Sequence, residues 1–210
     1  MNFVDCFSFS IYRGTSTNVK MYLNFASKLV DHFCNKNNTA VVIFADDFFY
    51  KLLSHELSPH PSFFLIQSSA FDSIRHHPPK IHRHFAHLFV SSDWYHYRDV
   101  DVIFDDKHLY LLNVFRSDAP ILLFRPEAHH IEPILAGYFS VKSDSLYIFD
   151  SKFFRNSFIT SIFSKIFSYR YDQILLSLFI YPKLKRIALV LTSHVFFNGE
   201  SIKLIHKDFF

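Results

Sequence analysis

The chain contains only three glycines among its 210 residues. A phosphate-cradling P-loop and a dinucleotide-binding turn each need several glycines, so that the backbone can approach phosphates closely. Neither pattern occurs, which removes the usual support for ATPase and nicotinamide-dependent chemistry. Cysteine is equally scarce. Cys6 and Cys34 build neither a disulfide framework nor a four-ligand zinc site, nothing ahead of the first predicted strand resembles a secretory leader, and a reducing cytoplasm is the expected compartment. No apolar run reaches the roughly 18 residues that a spanning helix requires. The nearest, Ile174 to Tyr181, is followed by Pro182, Lys183, Lys185 and Arg186, so no transmembrane segment is expected and membrane contact would be peripheral. A surplus of one charge is missing too: the formal net charge is +3, and the Lys and Arg residues form no dense stripe. Nucleic acid is therefore not an expected partner.

What the chain does have is hydrophobicity: half of its residues are hydrophobic and 28 are Phe. That suffices to bury a substantial core, and the length suits one α/β domain spanning residues 1–210. Alternating Phe and small or polar residues predict a strand over Phe3 to Ile11, followed by a polar turn from Gly14. Helical spacing from Asn18 to Phe33, a β-branched run from Thr39 to Ala45 and a helix from Phe48 to Leu57 continue the pattern. Pro59 and Pro61 precede a strand at Ser62 to Gln67; Pro78 and Pro79 precede a helix containing Ile81, Phe85, Leu88 and Phe89. Further strands are predicted at Trp94 to Phe104, Ile121 to Phe124, Ile134 to Lys142 and Ile187 to Thr192. Helices are predicted at Lys107 to Phe115, Phe153 to Phe167 and Asp172 to Tyr181. Such alternation predicts a mostly parallel central sheet flanked by helices.

Within that frame the segment Trp94 to Phe104, WYHYRDVDVIF, brings two carboxylates, Asp99 and Asp101, to the C-terminal half of a predicted central strand. Ligands of open α/β sheets bind beyond the carboxyl ends of the strands, and residues two apart point to one face. The pair would thus reach a single divalent cation. Spacing alone is a weak signal, because a chain with fifteen Asp yields about one Asp-x-Asp by chance. The alternative is a strand end that caps the next element.

Several segments, in order, resemble a bacterial and viral family of GT-A-type glycosyltransferase-like proteins with an Arg-Asp-x-Asp strand and an Arg-Asp-His-Pro-x-His loop. RDVDV, Arg98 to Val102, matches the first motif. FRPEAHHIEPILAGYFSVK, Phe124 to Lys142, matches the loop and following strand through Arg125, His130, Pro133, Ile134, Gly137 and Lys142. YDQILLSLFIYPKLK, Tyr171 to Lys185, carries the Asp-Gln dipeptide that opens a helix in many GT-A enzymes, and FSFSIYRG, Phe7 to Gly14, is similar to the first strand. The chain departs from the family where Pro126 and Glu127 replace Asp and His, and where Phe139 and Ser140 replace Trp and Gly.

The resemblance implies a Rossmann-like nucleotide-sugar-binding domain that transfers a sugar from a nucleotide-diphosphate sugar to a glycan, protein or lipid acceptor. It implies Mn²⁺ or Mg²⁺ at Asp99 and Asp101, with His194 as a third ligand. Carboxylates suit hard cations whose shells are completed by phosphate oxygens and water. It assigns Asp172 to the acceptor hydroxyl or the developing sugar charge, and Gln173 to a hydrogen bond with the sugar. Arg98 and Arg125 would grip phosphate or a sugar carboxylate through their planar forks, Arg83 the same, and His130 would contact donor or acceptor. Each has an ordinary alternative: a macrodipole-favoured Asp at a helix start, a solvated ion pair, a loop histidine.

Two clusters stand outside that assignment. His76, His77, His82, His84 and His87 suggest zinc, but residues two apart do not share a helical face and no Cys or carboxylate joins them. The Asp46-Asp47 and Asp105-Asp106 pairs suit turns or helix starts, the first with a nucleoside contact as the alternative. Two competing functions remain: a catalytically idle scaffold used for protein interaction, favoured by the altered RPEAHH loop, and a metal-dependent hydrolase using the same carboxylates.

Overall fold

A computed structural model describes residues 2–14, 18–100, 113–124, 137–150, 152–167, 170–191, 194–197 and 200–203. By contacts the chain divides into two compact units, residues 1–102 and 103–210. The first unit is built on four strands, β1 (Phe3–Ile11), β2 (Thr39–Ala45), β3 (Phe63–Gln67) and β4 (Ser92–Arg98), in the order β3-β2-β1-β4 and all parallel. The order makes physical sense from burial. β2 is buried at every residue, as a strand covered on both faces must be, while β3 at the margin is only half-buried.

Helix α1 (Val19–Cys34) begins where Asn18 accepts a hydrogen bond from the Met21 amide at 3.1 Å, and it buries Ala26, Leu29, Val30 and Phe33 along one stripe. The chain then reverses through Asn38 at φ 56°, a left-handed conformation that Asn tolerates better than most residues, and enters β2. Phe7 of β1 stacks on Phe33 of α1 with ring centroids 4.0 Å apart and on His96 of β4 at 4.5 Å. Helix α2 (Asp47–Glu56) follows β2 at once. Helix α3 (Pro79–His82) is a single turn that tightens into a 3₁₀ segment, Arg83–Leu88, where one regular helix was predicted.

The second unit has the order β6-β5-β7-β8-β9, with β5 (Ile121–Phe124) parallel to β7 (Ala188–Leu191) and antiparallel to β6 (Tyr138–Lys142). β8 (His194–Phe197) and β9 (Glu200–Lys203) add an antiparallel hairpin that the sequence pattern did not predict. The predicted helix from Phe153 to Phe167 is interrupted at Asn156, whose side chain accepts from the amides of Phe158 at 3.0 Å and Ile159 at 3.2 Å and so starts a new helix, Ser157–Phe167. The predicted helix from Asp172 to Tyr181 is α-helical at Tyr171–Leu175, widens to a π-turn at Leu176–Ile180, and closes with Tyr181–Leu184. The architecture is α/β, as expected. The predicted helix at Lys107 to Phe115 falls mostly outside the described residues.

Candidate functional site

In the first unit the chain runs from β1 outward to β2 and β3, then returns to place β4 on the other side of β1. The reversal puts a switch point at the carboxyl ends of β1 and β4, the kind of position at which open parallel sheets bind ligands. The strand predicted to run to Phe104 stops at Arg98, so Asp99 lies just beyond its end, at that switch point. Earlier termination matters chemically. A carboxylate within the ladder would be enclosed by neighbouring strands, whereas the Asp99 side chain is 44% exposed.

Asp99 is held by Arg83, whose Nη1 donates to Asp99 Oδ1 and also to the Arg98 carbonyl at 3.2 Å. Arg83 itself is only 3% exposed. Its position follows from the Phe-Ser-Phe-Ser alternation of β1, which puts Ser8 and Ser10 on the face opposite Phe7 and Phe9. Ser8 Oγ donates to the Arg83 carbonyl at 2.7 Å, and Ser10 Oγ accepts from the Arg83 amide at 3.0 Å. Two strand serines thus anchor the backbone whose side chain anchors Asp99. Desolvation raises the pKa of Asp99, but the charge and hydrogen bond of Arg83, with the charges of Lys80 and Arg98, outweigh it and hold the carboxyl below its usual value.

Arg98 is fully buried and donates from Nη1 to the Tyr97 carbonyl at 2.8 Å. Nearby, the ends of β1 and β2 are tied by Asp46, which accepts from the Arg13 amide at 2.6 Å and caps α2 through the Phe49 amide at 2.8 Å. Asp47 accepts from Gln67 at 3.0 Å and from Ser69; the Ser69 bond, then the Gln67 bond, lower its pKa. A small cleft lies over these strand ends, lined by Ile11, Phe44, Asp46, Ser68, Pro79 and His82. Replacing Asp46 by Ala removes a cap and the tie to Arg13 together. The expected loss is about 1–2 kcal/mol, read as a lower urea midpoint at unchanged slope.

The histidine-rich segment serves packing. His82 is buried, with a ring nitrogen 2.8 Å from the His77 carbonyl, and His84 is wholly enclosed against Tyr97. Among the described residues no three of His, Cys, Asp and Glu come together as a metal site.

In the second unit Asp172 is buried in the first turn of its helix and accepts from the Gln173 amide at 3.0 Å, while Gln173 is half-buried. His194 opens β8, its backbone paired in register with Lys203. Asp101, Arg125 and His130 lie outside the described residues, as do Pro126 and Glu127. The support of Asp99 by Arg83, Ser8 and Ser10 was not read from the sequence. Its one local signal is a pair of serines alternating with Phe in an otherwise apolar strand, which marks a buried polar face.

No protein-family model matches this chain, and no curated protein matches it in sequence. Solved structures do match. A glycosyltransferase involved in the glycosylation of the major capsid of PBCV-1 aligns with TM-score 0.51 at 15% identity, over 91% of this chain and 82% of that one. The glycosyltransferase GlyE of Streptococcus pneumoniae TIGR4 aligns with TM-score 0.53 at 15% identity, over 91% of this chain and 45% of GlyE. This chain therefore spans less than half the length of GlyE. Identity this low carries the fold alone: the α/β arrangement is similar to that of these two glycosyltransferases.

Proposed function

We propose that this protein is a glycosyltransferase whose GT-A-like fold takes a sugar from a nucleotide-diphosphate sugar with the help of Mn²⁺ or Mg²⁺. The observation that carries the reading is Asp99: a partly exposed carboxylate, kept ionised, just past the end of β4 at the switch point of a parallel sheet in this fold. Its donor chemistry fits a hard cation, and Asp101 two residues on supplies a second carboxylate of the same kind. His194, which the family resemblance implies as a third ligand, belongs to the second unit. The cation, when bound, offsets the negative charge that gathers on the departing diphosphate.

The remaining steps fall to side chains. In transfer the bond from the anomeric carbon to the diphosphate oxygen breaks, and a bond from that carbon to the acceptor oxygen forms. Asp172 takes or orients the acceptor proton and Gln173 hydrogen-bonds the sugar. Arg125 and His130 contact the donor. Arg98 acts from its buried position through its charge, which helps keep Asp99 ionised. Arg83 serves as a positioning residue for Asp99.

Titration calorimetry with Mn²⁺ and a panel of nucleotide sugars tests this reading. Wild-type protein is expected to bind at least one donor in a metal-dependent way, and Asp101→Asn to abolish that binding. Failure to bind any donor would sink the proposal. One observation favours the idle-scaffold alternative: Arg83 already neutralises an oxygen of Asp99. That alternative predicts a stably folded wild type that binds neither Mn²⁺ nor nucleotide sugar in the same titration.

A further inference from the structure

The helix Ser157–Phe167 is amphipathic the wrong way round. At 100° per residue, Phe158, Ile162 and Ile166 fall within one arc of about 80°. These apolar residues face solvent, with Phe158 71% and Ile166 65% exposed, while the opposite side buries Thr160 completely. Half-buried Phe163 makes ring contacts with Phe167, itself exposed at the helix end, at 5.5 Å and with Phe179 of the following π-turn at 5.8 Å. Leu178 of that turn is also exposed. An exposed apolar stripe on a helix costs solubility unless something covers it.

Charge indicates what covers it. From residue 152 to residue 186 the only acidic residue is Asp172, which is buried, whereas Arg155, Lys165, Arg170, Lys183, Lys185 and Arg186 are all exposed. Lys165 lies seven residues from Phe158, within about 20° of it on the helix, so a cation sits in the apolar stripe itself. Protein interfaces are depleted in Lys, while helices lying in a bilayer interface combine large apolar side chains with Lys and Arg. No helix among the described residues is long and apolar enough to cross a membrane, so contact would be along the surface.

We propose that the exposed stripe of this helix docks on an anionic lipid bilayer, Phe158, Ile162 and Ile166 entering the headgroup boundary while Lys165 of the same stripe neutralises lipid phosphate, aided by the exposed Lys183, Lys185 and Arg186 that follow in the sequence. The inference stands apart from the transferase reading, since docking needs no donor or cation.

Co-sedimentation of the full chain with vesicles of phosphatidylcholine alone, and of phosphatidylcholine mixed with phosphatidylglycerol, tests it. The protein should sediment with the mixed vesicles and not with the neutral ones, and added salt should release it. Phe158→Ser combined with Ile166→Ser should lower partitioning about tenfold or more with an unchanged circular dichroism spectrum and urea midpoint. Lys183→Glu combined with Lys185→Glu, which leaves the stripe intact, should weaken binding to the mixed vesicles alone. Absence of sedimentation with mixed vesicles overturns the proposal, as does binding that both variants leave intact. So does a stripe-dependent dimer in lipid-free ultracentrifugation that shows no vesicle binding, which would mean that a second copy covers the face.

Discussion

Acidifying the protein from pH 6.5 to about 4 is expected to remove about 3 kcal/mol of stability through His82 alone. Burial pulls the His82 pKa from 6.5 down to about 4, only partly offset by hydrogen bonds to the backbone at His77 and Ile74. The unfolded chain binds a proton near pH 6.5 that the folded protein refuses until about pH 4. Across that window the unfolded state holds more protons, so stability falls as pH falls, by about 1.4 kcal/mol for each unit of difference. Above 6.5 the contribution is constant. His84 acts in the same direction, its pKa pushed well below the usual value by burial and then by the charges of Arg83 and His87.

The window separates this effect from the carboxylates. Asp99 and Asp47 have lowered pKa values, so the stability they add is present above 3.8 and is lost below it. Urea unfolding at pH 7 and at pH 4.5 isolates the histidines. His82→Gln, which stays neutral and can still donate to the His77 carbonyl, should flatten the dependence measurably. A wild-type midpoint that does not move between pH 6.5 and 4 would refute the argument.

The second large effect is expected at Arg83. Arg83→Met keeps most of the buried aliphatic volume but withdraws the nitrogen that serves both the Arg98 carbonyl and Asp99. Leaving a buried acceptor without that donor costs about 1–3 kcal/mol. The ion pair adds less than its burial on the Arg side suggests, because Asp99 is partly hydrated and solvent screens it. The sharper readout is Asp99 itself. With Arg83 gone, the largest lowering influences vanish and desolvation remains, so its pKa should rise. Carbon-13 NMR of the Asp99 carboxyl through a pH titration measures that directly. An unchanged Asp99 titration in a folded Arg83→Met protein would show that the pair does not set its charge.

Much of the fold was legible because local periodicity and global burial agree in the first unit. The Thr39 to Ala45 run is apolar at every position, and a strand covered on both faces needs that pattern. Asn18 and Asp46 sit at helix starts with side chains that satisfy the first amides. Local pattern failed where side-chain capping competes with helix continuity: Asn156 begins a new helix inside a run whose apolar residues read as one. It failed again at the π-turn from Leu176, which has the same composition as a regular helix. The strand ending at Arg98 was overrun by four β-branched or aromatic residues, Val100, Val102, Ile103 and Phe104, whose propensity says nothing about where a partner strand stops.

The amino-acid order by itself determined the alternation of strands and helices, and which carboxylates merit attention, because both follow from spacing along the chain. Only tertiary structure decided that Asp99 lies past a strand end, that Arg83 from sixteen residues earlier holds it, and that two serines of β1 hold Arg83. It also turned Phe158, Ile162 and Ile166 outward, although their hydrophobicity reads as core. Hydrophobicity states how strongly a side chain avoids water; which neighbour covers it, and which charge stands beside a carboxylate, depend on chain segments that meet only after folding.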